Sequence, residues 1–92
     1  MPSSPVPEAV ADELSRLVRR WQQLPVDQAS VRLPRVLTVV AGLASLSGAD
    51  AEPPDLGPAV VMDQLAVTAY DACVHGHAED ALALLTALRR DL

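Results

Sequence analysis

The chain has 92 residues, of which 50% are hydrophobic and 2% aromatic, and its formal net charge is -5. This length is enough for one domain and excludes a second. Non-specific binding to nucleic acid or to an anionic membrane requires a positive field, which an acidic chain does not supply. We therefore expect one helical domain over residues 1–92 that has neither nucleic acid nor a membrane as a partner.

The cysteine content and the first residues indicate where the protein resides. Cys73 is the single cysteine, so no disulfide can form within the chain, which favours a reducing compartment. Residues 1–13 lack the basic start and the apolar run of a secretory signal. The most apolar stretch, 36–46, is shorter than the roughly 20 residues that cross a bilayer. We expect a cytoplasmic protein.

Proline and glycine divide the sequence into four segments. Each has an apolar period near 3.6 residues, and none alternates as a strand does. This pattern predicts an all-α fold, and the connections favour a small four-helix up-down bundle. We expect helices at about 5–24, 30–47, 58–75 and 78–91, a disordered start over 1–4 and a loop over 48–57.

Prolines bound the first predicted helix. We expect Ser4 to be its N-cap, Pro5 to occupy the first helical position, and the helix to end before Pro25. One apolar arc should face the core. It consists of Val6, Val10, Leu14, Leu17, Val18, Trp21 and Leu24.

The second predicted helix has two alternative caps, Asp27 and Ser30, and should end at Gly48. Pro34 then lies in the opening turn or marks a bend. The apolar positions cover about 180° of the helical wheel, so this helix must be covered on more than one side. They are Leu33, Val36, Leu37, Val39, Val40, Leu43, Ala44 and Leu46.

The third predicted helix opens at Asp55 or Gly57, with Pro58 at its first position, and closes at Gly76. The short turn at Gly76 and His77 should make the third and fourth helices antiparallel neighbours. The third helix has two apolar stripes, the second spaced by seven residues. The first stripe is Val61, Leu65, Ala69 and Ala72, and the second is Val60, Val67 and Val74. The inward residues of the fourth helix are Ala81, Leu84, Leu85, Leu88 and Leu92.

The second and third helices have more apolar surface than the other two. Either they form the central pair of a monomer, or their surplus faces meet a second copy of the chain. We expect the second arrangement, a homodimer. The candidate interface residues are Val39, Leu46, Val60, Val67 and Val74.

Potential metal ligands lie where the third helix ends: Cys73, His75, His77 and Glu79. Thiolates, imidazoles and carboxylates are the usual ligands of zinc. However, Cys73 and His75 lie about 200° apart around a helix, and the pairs CxxC and HxxxH do not occur. We expect neither a metal nor a cofactor, because a helix C-terminus explains His75 and an N-cap explains His77.

No catalytic constellation is found in the sequence. Asp63 and Tyr70 share a helix face and Asp71 is near them, but proton transfer requires a second group and a concave pocket. The motifs GxSxG, GxxxxGK[ST] and GxGxxG do not occur. We expect no enzymatic activity.

Clustered arginines next to an aromatic residue can form a docking face for nucleic acid. Arg16, Arg19 and Arg20 precede Trp21, but Trp21 lies on the apolar arc and acidic residues of the same helix offset the patch. Arg89 and Arg90 lie at a helix C-terminus, where cations are favoured. The sequence therefore predicts a non-enzymatic helical protein–protein interaction module that self-associates. The alternative is a small ligand- or metal-responsive regulator that uses the region around Cys73.

Overall fold

The computed structural model describes residues 5–49 and 52–92. Its four helices are α1 (Glu8–Gln23), α2 (Val26–Leu46), α3 (Val61–Val74) and α4 (Ala78–Asp91). The two described ranges contain no strand. The predicted all-α class and the four-helix bundle are confirmed. The predicted disordered start over 1–4, which includes the Ser4 cap, lies outside the described residues.

α1 begins later than predicted because of Pro7. A proline disfavours helical backbone in the residue before it, so Val6 is driven out of the helix. Pro7 is the N-cap, with ψ at 152°, and its carbonyl oxygen accepts the N–H of Ala11 at 3.0 Å. The prediction that Pro5 occupies the first helical position is therefore wrong.

α2 begins directly after Pro25, ahead of both predicted caps. The carbonyl oxygen of Pro25 accepts the N–H of Ala29 at 2.9 Å, and both Asp27 and Ser30 lie inside the helix. Pro34 is consequently an interior residue of α2 and not part of its opening turn. The predicted caps are wrong because a proline with extended ψ already places the next residue in the first helical position.

The predicted glycine ends of α2 and α3 are confirmed. Gly48 and Gly76 have φ of 85° and 84°, in the left-handed region that glycine adopts without steric cost. After α3, the Gly76 N–H donates to Cys73 O at 3.0 Å and the His77 N–H donates to Ala72 O at 2.9 Å. These two bonds form a Schellman motif, which satisfies the last carbonyl groups of the helix.

The first turn of the predicted third helix is not α-helical, because its backbone groups have other partners. The Asp55 carboxylate accepts the N–H of Gly57 at 3.0 Å. The carbonyl oxygen of Pro58 accepts the indole N–H of Trp21 at 2.9 Å. This bond joins the end of α1 to the segment before α3.

Contacts of α4 define the directions of the other helices. Arg35 of α2 binds Asp91 near the end of α4, whereas Gly42, further along α2, lies against Leu84. α2 and α4 are therefore antiparallel. α3 and α4 are antiparallel, as the tight turn at Gly76 predicts, so α2 and α3 run in the same direction and depart from the predicted up-down alternation.

The connection between α2 and α3 allows this parallel arrangement. Segment 52–55 returns along α2, beside Pro34, Leu37 and Ala41. The side-chain amide of Gln64 in α3 donates to Pro54 O at 2.9 Å and holds the segment in place. The prediction that α2 is covered on more than one side is confirmed, since α3, α4 and this segment all contact it. Residues 50–51 of the predicted loop lie outside the described residues.

α1 packs on α4 through a buried ion pair. Glu13 is only 6% exposed, and Arg89 binds both of its carboxylate oxygens, at 2.6 Å from Nε and 3.1 Å from Nη2. Further along both helices, Arg20 donates to the carbonyl oxygen of Leu92 at 2.8 Å. Glu13 precedes Arg20 in α1, and their partners Arg89 and Leu92 follow the same order at the end of α4. The two helices are therefore parallel.

One apolar core joins the four helices. The predicted inward residues of α1, α2 and α4 are buried or half-buried against it, and so is the first stripe of α3. Leucine and valine supply its volume, because the chain has few aromatic residues. The largest fully buried side chains are Leu17, Leu43, Leu65, Leu85 and Leu88, with Val10, Val36, Val39, Val40 and Val61.

α2 is the one helix, among the described residues, that is long and apolar enough to cross a membrane. Core helices of soluble proteins meet the same criterion of length and composition. Here Val36 and Leu43 are fully buried in the protein core, and Arg35 pairs with Asp91 at 3.0 Å. The absence of a membrane partner therefore stays a prediction.

Replacing Glu13 by glutamine should destabilise the fold by about 2 kcal/mol near neutral pH, because Arg89 then loses a charged acceptor. Hydrogen bonds from Arg89 lower the pKa of Glu13, and the attraction of Arg89 and Arg16 adds to this effect, against the opposing influence of burial. A depressed native pKa stabilises the fold above the unfolded value of roughly 4.3. That stability is lost as the pH falls through the native value.

We therefore expect the melting temperatures of the wild type and Glu13→Gln to differ at neutral pH and to converge in acid. Thermal unfolding followed by circular dichroism between about pH 3 and pH 7 measures this. The control is Glu52→Gln, at an exposed residue outside the helices, and it should melt like the wild type. A difference between wild type and Glu13→Gln that is constant with pH would contradict the assignment.

Candidate functional site

Exposed apolar side chains concentrate on the outer side of α3. Val67 is 60% exposed and Val74 is 53% exposed, although both are valines in a helix that also contributes to the core. Their exposure shows that no part of the described monomer covers this side. We call the surface the α3 face; it consists of Val60, Val67, Tyr70 and Val74.

The two candidate interface residues of α2 lie elsewhere. Val39 is 2% exposed and belongs to the core, and Leu46 is half-buried against the same core. Both residues are covered within the monomer, because α3 and α4 pack on α2. Val39 is therefore removed from the candidate interface, whereas Val60, Val67 and Val74 lie together on one helix face.

A shallow groove borders the α3 face. Its volume is about 450 Å³, and it lies between α2, α3 and segment 52–54. Val40, Ala44 and Val67 contribute to its apolar lining. Because Val67 belongs to both, the groove and the α3 face form one continuous surface.

The residues considered for acid-base chemistry lie on this same side of α3. Asp63 and Asp71 are exposed, and Tyr70 is 48% exposed. In the helical projection the two aspartates flank the valine stripe on opposite sides, at about 40° from Val67. Both aspartates therefore place negative charge beside the valine stripe, and Asp63 also lines the groove.

The four potential metal ligands, Cys73, His75, His77 and Glu79, do not converge. Cys73 is 7% exposed, and burial raises the pKa of its thiol, which disfavours the thiolate that binds metals. His75 Nδ1 lies 2.8 Å from Asp71 O, and His77 Nδ1 lies 3.7 Å from the Asp80 carboxylate. The described part of the chain contains no group of three histidine, cysteine or acidic residues that could hold a metal ion.

The structure brings together arginines that the sequence left apart. Because α1 and α4 are parallel, their C-terminal turns lie side by side and enclose a cleft of about 430 Å³. We call it the arginine cleft. Its lining includes Arg16, Arg19 and Arg20 from α1, and Arg89 and Arg90 from α4.

The sequence places each arginine group at its own helix C-terminus and does not indicate that the two ends meet. The signal that joins them is tertiary: the Glu13–Arg89 ion pair, at 2.6 Å, and the Arg20 bond to Leu92 O. Neither contact follows from a helical period. The pairing of Glu13 in α1 with Arg89 in α4 brings the two arginine groups together.

Zinc, nickel and copper should leave the melting temperature unchanged, because an ion stabilises the fold only where it binds the native state better than the unfolded chain. Scanning fluorimetry of the untagged protein with each metal, against a chelator-treated sample, measures this. A concentration-dependent rise that is abolished in His77→Ala would contradict the prediction and revive the metal-responsive alternative.

Two surfaces of opposite character thus lie on different elements. The α3 face is apolar with two aspartates beside it, and the arginine cleft is cationic and lies at the ends of α1 and α4. No protein-family model, curated protein or solved structure matches the chain.

Proposed function

We propose that the protein is a non-enzymatic helical protein–protein interaction module that self-associates through the α3 face. The observation that carries this proposal is the concentration of exposed apolar residues on one side of α3. A contiguous apolar patch on a soluble protein marks an interaction site more often than single scattered residues do. The bordering groove extends this patch.

A second copy of the chain is the occupant that fits the α3 face best. Val60, Val67 and Val74 recur every seven residues, so they follow one another along one side of the helix as a single heptad position does. A twofold contact requires a surface that is complementary to itself. A stripe of identical valines meets this condition, because the valines of the two copies can interdigitate.

The small extent of the α3 face favours a weak and reversible contact. From Val60 to Val74 the helix rises about 21 Å. A standard interface buries roughly 800 Å² on each partner, and one helix face with a bordering groove is at the low end of that range. We therefore propose a reversible homodimer of micromolar affinity.

Charge opposes the association. Each copy carries a net charge of -5, and Asp63 and Asp71 lie at the rim of the stripe. Rim charges remain solvated, so they act on the rate and the salt dependence more than on the buried contact itself. The apolar contact has to outweigh this repulsion.

The cytoplasm is the compartment that suits this module. Cys73 is free and buried, a condition that persists where thiols are kept reduced. The proposal requires no cofactor and no catalytic step, since the α3 face acts by binding alone.

Val67→Asp should convert the dimer into a monomer, because it places a charge at the centre of the apolar contact. Val67 is exposed in the monomer, so the variant should keep the helical circular dichroism of the wild type. Sedimentation velocity over a range of concentrations up to about a hundredfold above the micromolar Kd measures the association.

The matched control is Val31→Asp, which makes the same substitution at a valine of α2 that is 75% exposed. This variant should dimerise like the wild type. A wild-type chain that stays monomeric over the whole concentration range would contradict self-association. Equal dimerisation of both variants would move the interface away from the α3 face.

Salt should strengthen the dimer. Raising the ionic strength from about 0.1 M to about 1 M shortens the Debye length from roughly 10 Å to 3 Å, which screens the repulsion between the acidic copies. Sedimentation velocity at both salt concentrations measures the change in Kd. An association that weakens with salt would instead indicate contacts between arginines and acids.

A further inference from the structure

Five of the seven arginines of this lysine-free chain line one cleft. Gln23 and Leu92 complete the lining, so no acidic side chain of the described residues faces the cleft. The clustering is unexpected for a protein whose net charge is -5. It follows from the parallel packing of α1 and α4, which places two basic helix ends together.

Two of the arginines are held in position by the protein. Nε and Nη2 of Arg20 donate to Leu92 O at 3.2 Å and 2.8 Å. The same two nitrogens of Arg89 bind the Glu13 carboxylate. A guanidinium group has five N–H donors, so each of these side chains retains donors for a ligand while its position is fixed.

The other arginines have little interaction with the protein. Arg16 has a single ion pair, at 3.8 Å from Glu13. Arg19 and Arg90 are exposed, and neither has a hydrogen bond or an ion pair within the described residues. Their charges are thus available at the surface of the cleft.

The helix dipoles do not account for the whole cluster. A helix C-terminus is equivalent to about -0.5 charge, so the ends of α1 and α4 together supply about -1. Glu13 supplies one more negative charge, which leaves the five arginines with an excess of about three positive charges. A free carboxylate at Leu92 would reduce this excess by one and leave it positive.

We propose that the arginine cleft binds a small anion that carries at least one phosphate group. The planar guanidinium fork matches phosphate oxygens and binds them through two parallel hydrogen bonds. The cleft volume of about 430 Å³ lies in the range of sites for small molecules.

The surroundings of the cleft favour a small ligand over a nucleic acid. No aromatic side chain lines the cleft, and Trp21, the nearest in sequence, donates its indole N–H to Pro58 O. A base therefore has no ring to stack on. Outside the cleft the chain is strongly acidic, which repels a long polyanion but affects a ligand confined to the cleft far less.

The test uses inorganic pyrophosphate as the probe, with isothermal titration calorimetry of the full chain near physiological salt. The test variant combines Arg19→Gln with Arg90→Gln, since neither arginine has a structural contact that its loss would break. The control is Arg35→Gln with Arg32→Gln, which removes the two arginines outside the cleft. Both bind Asp91, so circular dichroism first verifies that this variant keeps the helical fold.

We expect the wild type and the control pair to bind pyrophosphate with similar Kd, and the test variant to bind at least tenfold more weakly. Absence of binding by the wild type, or equal loss in both double variants, would overturn the proposal. A single-stranded oligonucleotide that binds more tightly than pyrophosphate with the same dependence on Arg19 and Arg90 would also overturn it, in favour of nucleic acid. Dimerisation is measured separately, so either proposal can fail alone.

Discussion

The ion pair between Glu13 and Arg89 determines where α1 lies. Only Leu24 and Pro25 connect α1 to α2, yet these two helices have the weakest contact of any pair in the bundle. A carboxylate that is 6% exposed is costly unless it is paired, and Arg89 supplies both hydrogen bonds that it needs. The pair therefore fixes the position of α1 along α4, which hydrophobic contacts alone would specify less sharply.

Both candidate surfaces follow from this placement. With α1 fixed beside α4 and α2 beside α3, the bundle has no element left to cover the outer side of α3, where Val67 and Val74 remain exposed. The same placement brings the C-terminal turns of α1 and α4 together. Two helix ends of the same sign favour cations between them, and the chain provides more arginines there than that role requires.

The helices could be predicted from the sequence because their signals are local. The period of 3.6 residues and the glycines at 48 and 76 gave the helix ends, and α4 was predicted to the residue at both of its bounds. The starts of α1 and α2 were wrong, because Pro7 and Pro25 each serve as an N-cap, a role for which Ser, Asp and Asn were expected.

The sites were less predictable, because they depend on contacts between distant parts of the chain. Val39 and Val67 are the same residue type in the same kind of apolar stripe, yet one is 2% exposed and the other 60%. The difference arises because α3 and α4 both pack on α2, whereas one side of α3 has no neighbour among the described residues. No helical period specifies which side of a helix its neighbours cover.

The net charge of the chain gives no indication that a cationic cleft exists. A value of -5 correctly describes the field far from the protein, where all charges act together. Within a Debye length of about 8 Å at physiological salt, a ligand responds only to the nearest groups. In the arginine cleft these are five guanidinium groups, the C-terminal ends of α1 and α4, and one buried carboxylate that is already paired. An acidic protein can therefore present a strongly cationic site, provided that its fold collects the few arginines that the sequence contains.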